Sequence, residues 1–308
     1  MNGSSRQTPS TRATVAAIGS ILLWCWSGVC FRKGAEAIGA MPYLAFMTGG
    51  GSLTVIALQL LQRRPLSDLY RLPVRVIVAG FFGVAFYTVI LSAAIGMAAE
   101  RDVGQVSLIN YLWPMWIVLL GMFFLGERPA PMLTLAGALL GFAGVAISRG
   151  METFTRSPSS LLPHALALVG GFSWAVYSVL LRRWRIPEEK GGTAFHFAVC
   201  AIMAAVIAAA KGQWRAMPAW TPSTVFWILF GAIGPVGLGY HWWEIGVKRG
   251  AVQLLAALSY FIPIGAALLI GFFFREAMSL GLVPGAAMIA AGAWLVRRAT
   301  RQAEKNEK

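Results

Sequence analysis

The chain has 308 residues, of which 57% are hydrophobic and only 12% charged, with a mean hydropathy of +0.67. Charged residues form about a quarter of an ordinary soluble domain, so this composition excludes one and places the chain in lipid. A formal net charge of +14 would suggest nucleic acid in a soluble protein, but most of the basic residues fall in loops and tails on one side of the apolar segments; membrane orientation explains them, and no nucleic acid partner is expected.

Ten continuous apolar runs, each about long enough to cross a hydrocarbon core of about 30 Å as helix, predict spans over residues 13–31, 42–61, 74–98, 104–124, 130–148, 162–181, 193–210, 222–246, 250–273 and 279–296. Membrane strands would be shorter and alternating, so the fold class is an all-α membrane protein. Connections are short, and residues 1–12 and 297–308 read as polar tails.

The first span contains WCWSGVCFRK from Trp24; it is not read as a cleavable signal segment, because the sixth span copies it. The third carries Tyr87. In the fourth, Ser107, Asn110, Tyr111 and Pro114 fall at i, i+3, i+4 and i+7, on one helix face. A polar stripe in lipid faces protein or water. Asn110 offers two donors and an acceptor to the ends of a zwitterion, and Tyr111 adds a ring with a hydroxyl; an interhelical hydrogen bond is the other reading of the same stripe. Pro114 lacks an amide proton and frees a carbonyl one turn back, which makes it a kink or hinge. The small-residue face of the fifth span, Gly137, Gly141 and Gly144, suits close helix packing more than dimer formation.

After an external linker over 149–161, the sixth span opens the second half with Trp174 and Tyr177 in WAVYSVLLRR. The eighth contains GAIGPVGLGYHWWEIG, where Gly231, Gly234, Pro235, Gly237 and Gly239 fall within nine residues. So many helix weakeners predict a broken or strongly bent helix with Pro235 as a hinge, tolerated in lipid only when buried or beside a cavity. It is no phosphate loop, since no lysine follows and no strand precedes it. His241, Trp243 and Glu244 come next, then Tyr260 and Pro263 in the ninth span and Gly285 and Gly292 in the tenth. Cys25, Cys30 and Cys200 lie within spans, are odd in number and form no disulfide framework.

The second half repeats the first. Trp24 and Trp174 stand 150 apart, each with a basic pair eight residues on; Tyr111, Pro114 and Glu127 align with Tyr260, Pro263 and Glu276 at 149; Ala136 aligns with Pro284 at 148. Three matches in order at a nearly constant offset indicate duplication. Five spans is an odd number, so the halves 13–148 and 162–296 enter the membrane from opposite sides as inverted repeats. With the N-terminus inside, the inner side carries 18 of the 26 Lys and Arg residues, which puts both termini in the cytoplasm. Inverted repeats suit alternating access.

LLWCWSG in the first span, NYLWP opening the fourth and SWAVYSVLLRR in the sixth resemble the EamA branch of the drug/metabolite transporter superfamily, over nearly the whole chain. INYLWP, SWAVY and GLGYHWWEIGVKRG are similar to its bacterial aromatic amino acid exporters. The resemblance implies a bacterial inner-membrane exporter of aromatic and other neutral amino acids with a central cavity between the halves. Trp24, Trp113, Trp174 and Trp243 coincide with these motifs; with Tyr87, Tyr177, Tyr240 and Tyr260 they are candidates to line that cavity, beside Asn110, Tyr111 and His241. Core packing is the other reading of each ring. Trp184, Trp214, Trp220 and Trp294 sit at span ends or in loops, as an interfacial belt does.

All twelve carboxylates fall at span ends, loops or tails. Proton or sodium coupling usually employs an intramembrane ionisable group, so an uncoupled facilitator is expected. Glu244, near the inner end of the eighth span with His241 beside it, is the exception, and a proton-coupled exporter of another small metabolite or drug is the alternative. Glu127 and Glu276 could hold gating loops by pairing with Arg128 and Arg275, unless they are plain solvated charge. No Ser/His pair, carboxylate dyad or metal cluster lies inside the spans, so no enzyme activity, cofactor or metal is expected. The expected partners are the amino acid substrate and the lipid bilayer, with a monomer as the working unit and a dimer left open.

Overall fold

The computed structural model describes residues 9–125, 130–150, 157–187, 190–216, 220–275 and 279–306, and these contain helices and no strand. The long helices are α1 (Thr11–Cys25), α2 (Ser27–Ile38), α3 (Ala40–Leu61), α4 (Val74–Met97), α5 (Val103–Phe124), α6 (Pro131–Arg149), α7 (Leu161–Arg183), α8 (Thr193–Ala210), α9 (Pro222–Arg249), α10 (Val252–Phe274) and α11 (Leu282–Asn306). Among the described residues eight are long and apolar enough to cross a membrane, nine if the bent pair α1 and α2 counts as one span. The remaining long helix, α11, loses its apolar character at Arg297 and Arg298.

Local signals set the ends. The Ser10 hydroxyl accepts the Ala13 amide at 3.3 Å and starts α1; the Thr221 hydroxyl accepts the Thr224 amide at 3.1 Å, with Pro222 in the first turn of α9. Gly39, at φ 89°, separates α2 from α3.

Three boundaries differ from those the sequence predicts. The first helical run continues to Ile38 and bends by 40° at Trp26. The eighth run, expected to be broken or strongly bent, is not broken: a π-helical segment, Ala232–Leu238, widens the turn around Pro235 and absorbs its missing hydrogen bond. A second π-helical segment, Phe81–Phe86, lies in α4 at the corresponding place in the first half. The C-terminal tail continues α11 as helix to Asn306 instead of separating from it at residue 297.

The helices pack chiefly across the two halves: α1 on α9, α7 on α4, α3 on α8 and α9, α8 on α4, α5 on α10, and α6 on α11. The last pair runs antiparallel through its glycines. A Cβ at Gly137 would lie 2.6 Å from the Gly292 carbonyl, and one at Gly144 would lie 2.6 Å from the Gly285 carbonyl. Both obstacles are backbone and cannot swing aside. The glycine stripes are therefore consumed within the chain, as small-residue faces in membranes are. Gly144→Ala is expected to destabilise the protein by about 1–3 kcal/mol through overpacking, while Gly96→Ala, with nothing within 4 Å of its added methyl, should leave the thermal midpoint in detergent unchanged. Equal midpoints for the two variants would refute this packing.

Candidate functional site

Where the halves meet, four tryptophans from four helices touch one another in every pairing. Trp24 of α1 lies 6.4 Å from Trp113 of α5, 6.0 Å from Trp174 of α7 and 5.2 Å from Trp243 of α9, between ring centroids. Trp113 lies 6.4 Å from Trp174 and 5.4 Å from Trp243, and Trp174 lies 6.2 Å from Trp243. Most of these pairs are edge-to-face, the arrangement that the ring quadrupole favours.

Buried indoles need acceptors. The Trp24 Nε1 donates to the Pro235 carbonyl at 3.0 Å, a bond between α1 and the π-helical segment of α9. The Trp243 Nε1 donates to Ser178 Oγ at 3.3 Å. Around this knot, Tyr87 stacks on Trp174 at 5.9 Å, Tyr177 lies 6.1 Å from Trp174, and Tyr240 bridges Trp24 at 5.0 Å to Phe197 at 4.7 Å.

The structure thus brings together Trp24, Tyr87, Trp113, Trp174, Tyr177 and Trp243, along with Tyr240. They are packed against one another rather than standing apart around a space: none of the four tryptophans is more than 9% exposed. His241 is half-buried on the same turn of α9. Phe197 and His196, on α8, join the ring cluster without having been expected there.

Asn110 and the two motif tyrosines mark interruptions in α5 and α10. The helical pattern lapses at Tyr111–Leu112 and again at Ser259–Tyr260, in each case just before Pro114 or Pro263. A proline cannot donate to the carbonyl one turn back, so the ladder stops there. The two lapses fall within one residue of equivalent positions in the repeat. Asn110 is buried and keeps its Oδ1 without a partner among the described residues. Tyr260 is buried with its hydroxyl likewise unpartnered and its ring against Gly141, while Tyr111 is half-buried beside it in the same cluster.

Glu244, the carboxylate set apart from the others in the sequence, is buried in an ion pair. It is 4% exposed, and its carboxylate accepts from the Gly192 amide at 3.0 Å, the Thr193 amide at 3.3 Å, the Thr193 hydroxyl and the Lys248 ammonium at 2.7 Å. It therefore caps the positive N-terminus of α8. Lys248 completes the knot by donating to the Pro187 and Lys190 carbonyls, each at 3.2 Å, which binds the segment before α8 to the end of α9. At the repeat offsets of 150 and 149, the first-half counterparts of Glu244 fall at Ala94 or Ile95 and those of Lys248 at Ala98 or Ala99, none of them ionisable. The lock is one-sided.

At the opposite end, Asp102 accepts the Ser159 amide at 2.8 Å, and Gln105 Oε1 meets His164 Nε2 at 3.1 Å. The Ser159 amide, with Arg101 adding to it, holds the Asp102 carboxyl below the usual carboxylate range. Glu127, Glu276 and Arg128 lie outside the described residues, and so does any pairing of Arg275 with Glu276.

A model of the EamA-like transporter family matches residues 11–150 and 161–298. The chain is 33% identical over 292 residues to an aromatic amino acid exporter YddG of Ancylobacter novellus, covering 92% of this chain and 96% of that one. It is 27% identical to the aromatic amino acid exporter YddG of Salmonella typhimurium, over 95% of this chain and 99% of that one. It is 28% identical to a probable terminal-alkyne amino-acid exporter of Streptantibioticus cattleyicolor, over 94% and 95%. A solved crystal structure matches at a TM-score of 0.82 with 30% identity, covering 96% of this chain and 100% of that one.

Proposed function

Because the chain belongs to the EamA-like transporter family, we propose that it exports aromatic and other neutral amino acids across a bacterial inner membrane, by alternating access and as an uncoupled facilitator. The observation that carries this reading is the tryptophan knot shared by both halves, beside the unpartnered Asn110 Oδ1. A ring pair is worth about 0.5–1.5 kcal/mol beyond burial. A substrate ring that enters the knot exchanges such contacts for similar ones, so the site opens to an aromatic guest at little net cost. The substrate ammonium would donate to Asn110 Oδ1, with Tyr87, Tyr111 and Tyr260 supplying hydroxyls around it. No lysine or arginine belongs to the knot, which suits a zwitterion better than a strong anion. His241, Trp243 and Tyr177 complete the proposed site, with Pro114, Pro235 and Pro263 at its hinges.

Ten spans in two inverted halves fit the packing. Gly137 and Gly144 correspond to Gly285 and Gly292 in the repeat, so the Gly137–Gly292 and Gly144–Gly285 approaches exchange with each other when the halves are swapped. That is the behaviour of a two-fold axis between antiparallel helices. On this reading both termini face the cytoplasm and one chain forms a complete pathway.

The pairing of Glu244 with Lys248 and the α8 amides favours the facilitator, since the one carboxylate inside α9 is already saturated with donors. Liposomes holding the purified protein should take up labelled tryptophan, phenylalanine and threonine saturably, with no effect of an imposed pH gradient. Dependence on that gradient would favour the proton-coupled alternative, and no uptake of any of the three by folded protein would remove the substrate claim.

A further inference from the structure

Tyr43, outside the tryptophan knot, and His196, at its edge against Tyr177, make like contacts, each from one half onto a helix of the other. The Tyr43 hydroxyl of α3 donates to the Trp227 carbonyl of α9 at 3.0 Å, and His196 Nε2 of α8 donates to the Ile77 carbonyl of α4 at 3.3 Å. Trp227 and Ile77 are 150 positions apart, and Tyr43 and His196 are 153 apart. The Tyr43 hydroxyl and the His196 ring each also face a glycine one turn further on, while the Tyr43 ring itself packs on Gly34. A Cβ at Gly231 would lie 2.6 Å from the Tyr43 hydroxyl, and one at Gly80 would overlap the His196 ring. The π-helical segments Ala232–Leu238 and Phe81–Phe86 begin at the very next residue. Tyr43 and His196 are both fully buried.

A gate contact parts into water, which re-solvates its polar groups. These two are buried between helices. Parting either would leave a buried side-chain donor without an acceptor, since each carbonyl keeps only its own helix's amide, and the interior penalises a buried donor left unpaired. Contacts of this kind are kept through a conformational cycle. The adjoining π-helical segments, each with a surplus residue in the ladder, are where α4 and α9 can bend instead.

We propose that Tyr43–Gly231 and His196–Gly80 are paired fulcrums, about which α3 turns on α9 and α8 turns on α4 as the protein alternates. Tyr43 and His196 are thus positioning residues for transport and touch no substrate. The inference rests on the alternating-access reading above.

The test compares Tyr43→Phe, His196→Leu and His196→Gln in liposomes loaded with tryptophan, with folding checked by gel filtration. Exchange should slow about tenfold from both sides for Tyr43→Phe and His196→Leu, with KM unchanged, because a fulcrum is kept at both ends of the cycle but bears hardest while the helices cross between them, where its bond counts for more than at either end. His196→Gln, whose amide can still donate to Ile77, should recover to within about threefold. Maleimide labelling of Ser107→Cys and Ala256→Cys, equivalent positions on α5 and α10, reports how open each mouth is; Cys25, Cys30 and Cys200 are buried. A fulcrum slows the motion without favouring either end, so the labelling ratio should stay at its wild-type value. Wild-type exchange in Tyr43→Phe, or a shifted labelling ratio in either variant, would overturn the proposal. Tyr43→Phe removes a single oxygen and carries the test alone if His196→Leu does not fold. A wild-type protein that exchanges no amino acid would instead defeat the transport reading.

Discussion

Replacing Trp174 by alanine is expected to lower tryptophan transport roughly a hundredfold and to destabilise the protein by about 3–5 kcal/mol. Trp174 is the hub of the knot, touching the rings of Trp24, Tyr87, Trp113, Tyr177, Tyr240 and Trp243. Losing two or three ring pairs at about 1 kcal/mol each accounts for a factor of roughly a hundred. Folding and function separate in two comparisons. Trp174→Phe keeps an aromatic ring, so it should retain most of the stability while its affinity for tryptophan falls. Threonine, which has no ring to place, should lose less in both variants than tryptophan does. Tryptophan binding by isothermal titration on detergent-purified protein, alongside thermal midpoints, reads both. If Trp174→Ala folds and binds tryptophan and threonine as the parent does, the aromatic site lies elsewhere.

Glu244→Ala is expected to cost about 3–5 kcal/mol, because it leaves Lys248 charged and buried and strips the Gly192 and Thr193 amides of their acceptor. Lys248→Met alone should be nearly as damaging. The double variant Glu244→Gln with Lys248→Met should return to within about 1–2 kcal/mol of the parent, since the glutamine carbonyl still caps α8 and no charge is left unpaired. The three thermal midpoints check this non-additivity. Transport decides the role of the pair. A facilitator retains flux in the double variant, whereas a carrier that moves protons through Glu244 goes silent while staying folded.

Much of the fold is legible in the chain because the relevant physics is local or repeated. The apolar runs gave the helices, Gly137 and Gly144 announced a close approach, and Pro114 and Pro263 marked the lapses in α5 and α10. Trp24 and Trp174 stood out because each occurs in the same motif 150 positions apart. Other features escaped for physical reasons. Hydropathy does not encode the hydrogen-bond register, so a π-helical segment at Phe81–Phe86 leaves no trace, and the Gly and Pro residues of α9 suggested breakage where a wider turn sufficed. Phe197 and His196 sit on a helix that is apolar on all sides, so no stripe singles out the face that meets the rings. Lys248 could have been found, since it lies four residues after Glu244 on the same helix face, a spacing that brings opposite charges together. Its burial could not, because the segment that covers it comes from the loop before α8.

The Glu244–Lys248 lock binds the segment before α8 to α9, and the corresponding stretch of the first half, residues 94–99, carries no ionisable side chain to match it. For a carrier without an energy source, such lopsidedness cannot make net flux run uphill. Microscopic reversibility fixes the quotient of maximal rate and half-saturating concentration at one value for both directions. If the protein alternates as proposed, what the lock would set is how long it dwells facing each compartment. The two faces then differ as a pair: one transports at high capacity but needs abundant substrate, and the other saturates early at low capacity. Such a carrier acts as a relief valve whose threshold is written into one buried ion pair, passive in its thermodynamics yet unequal in its response to the two pools it connects.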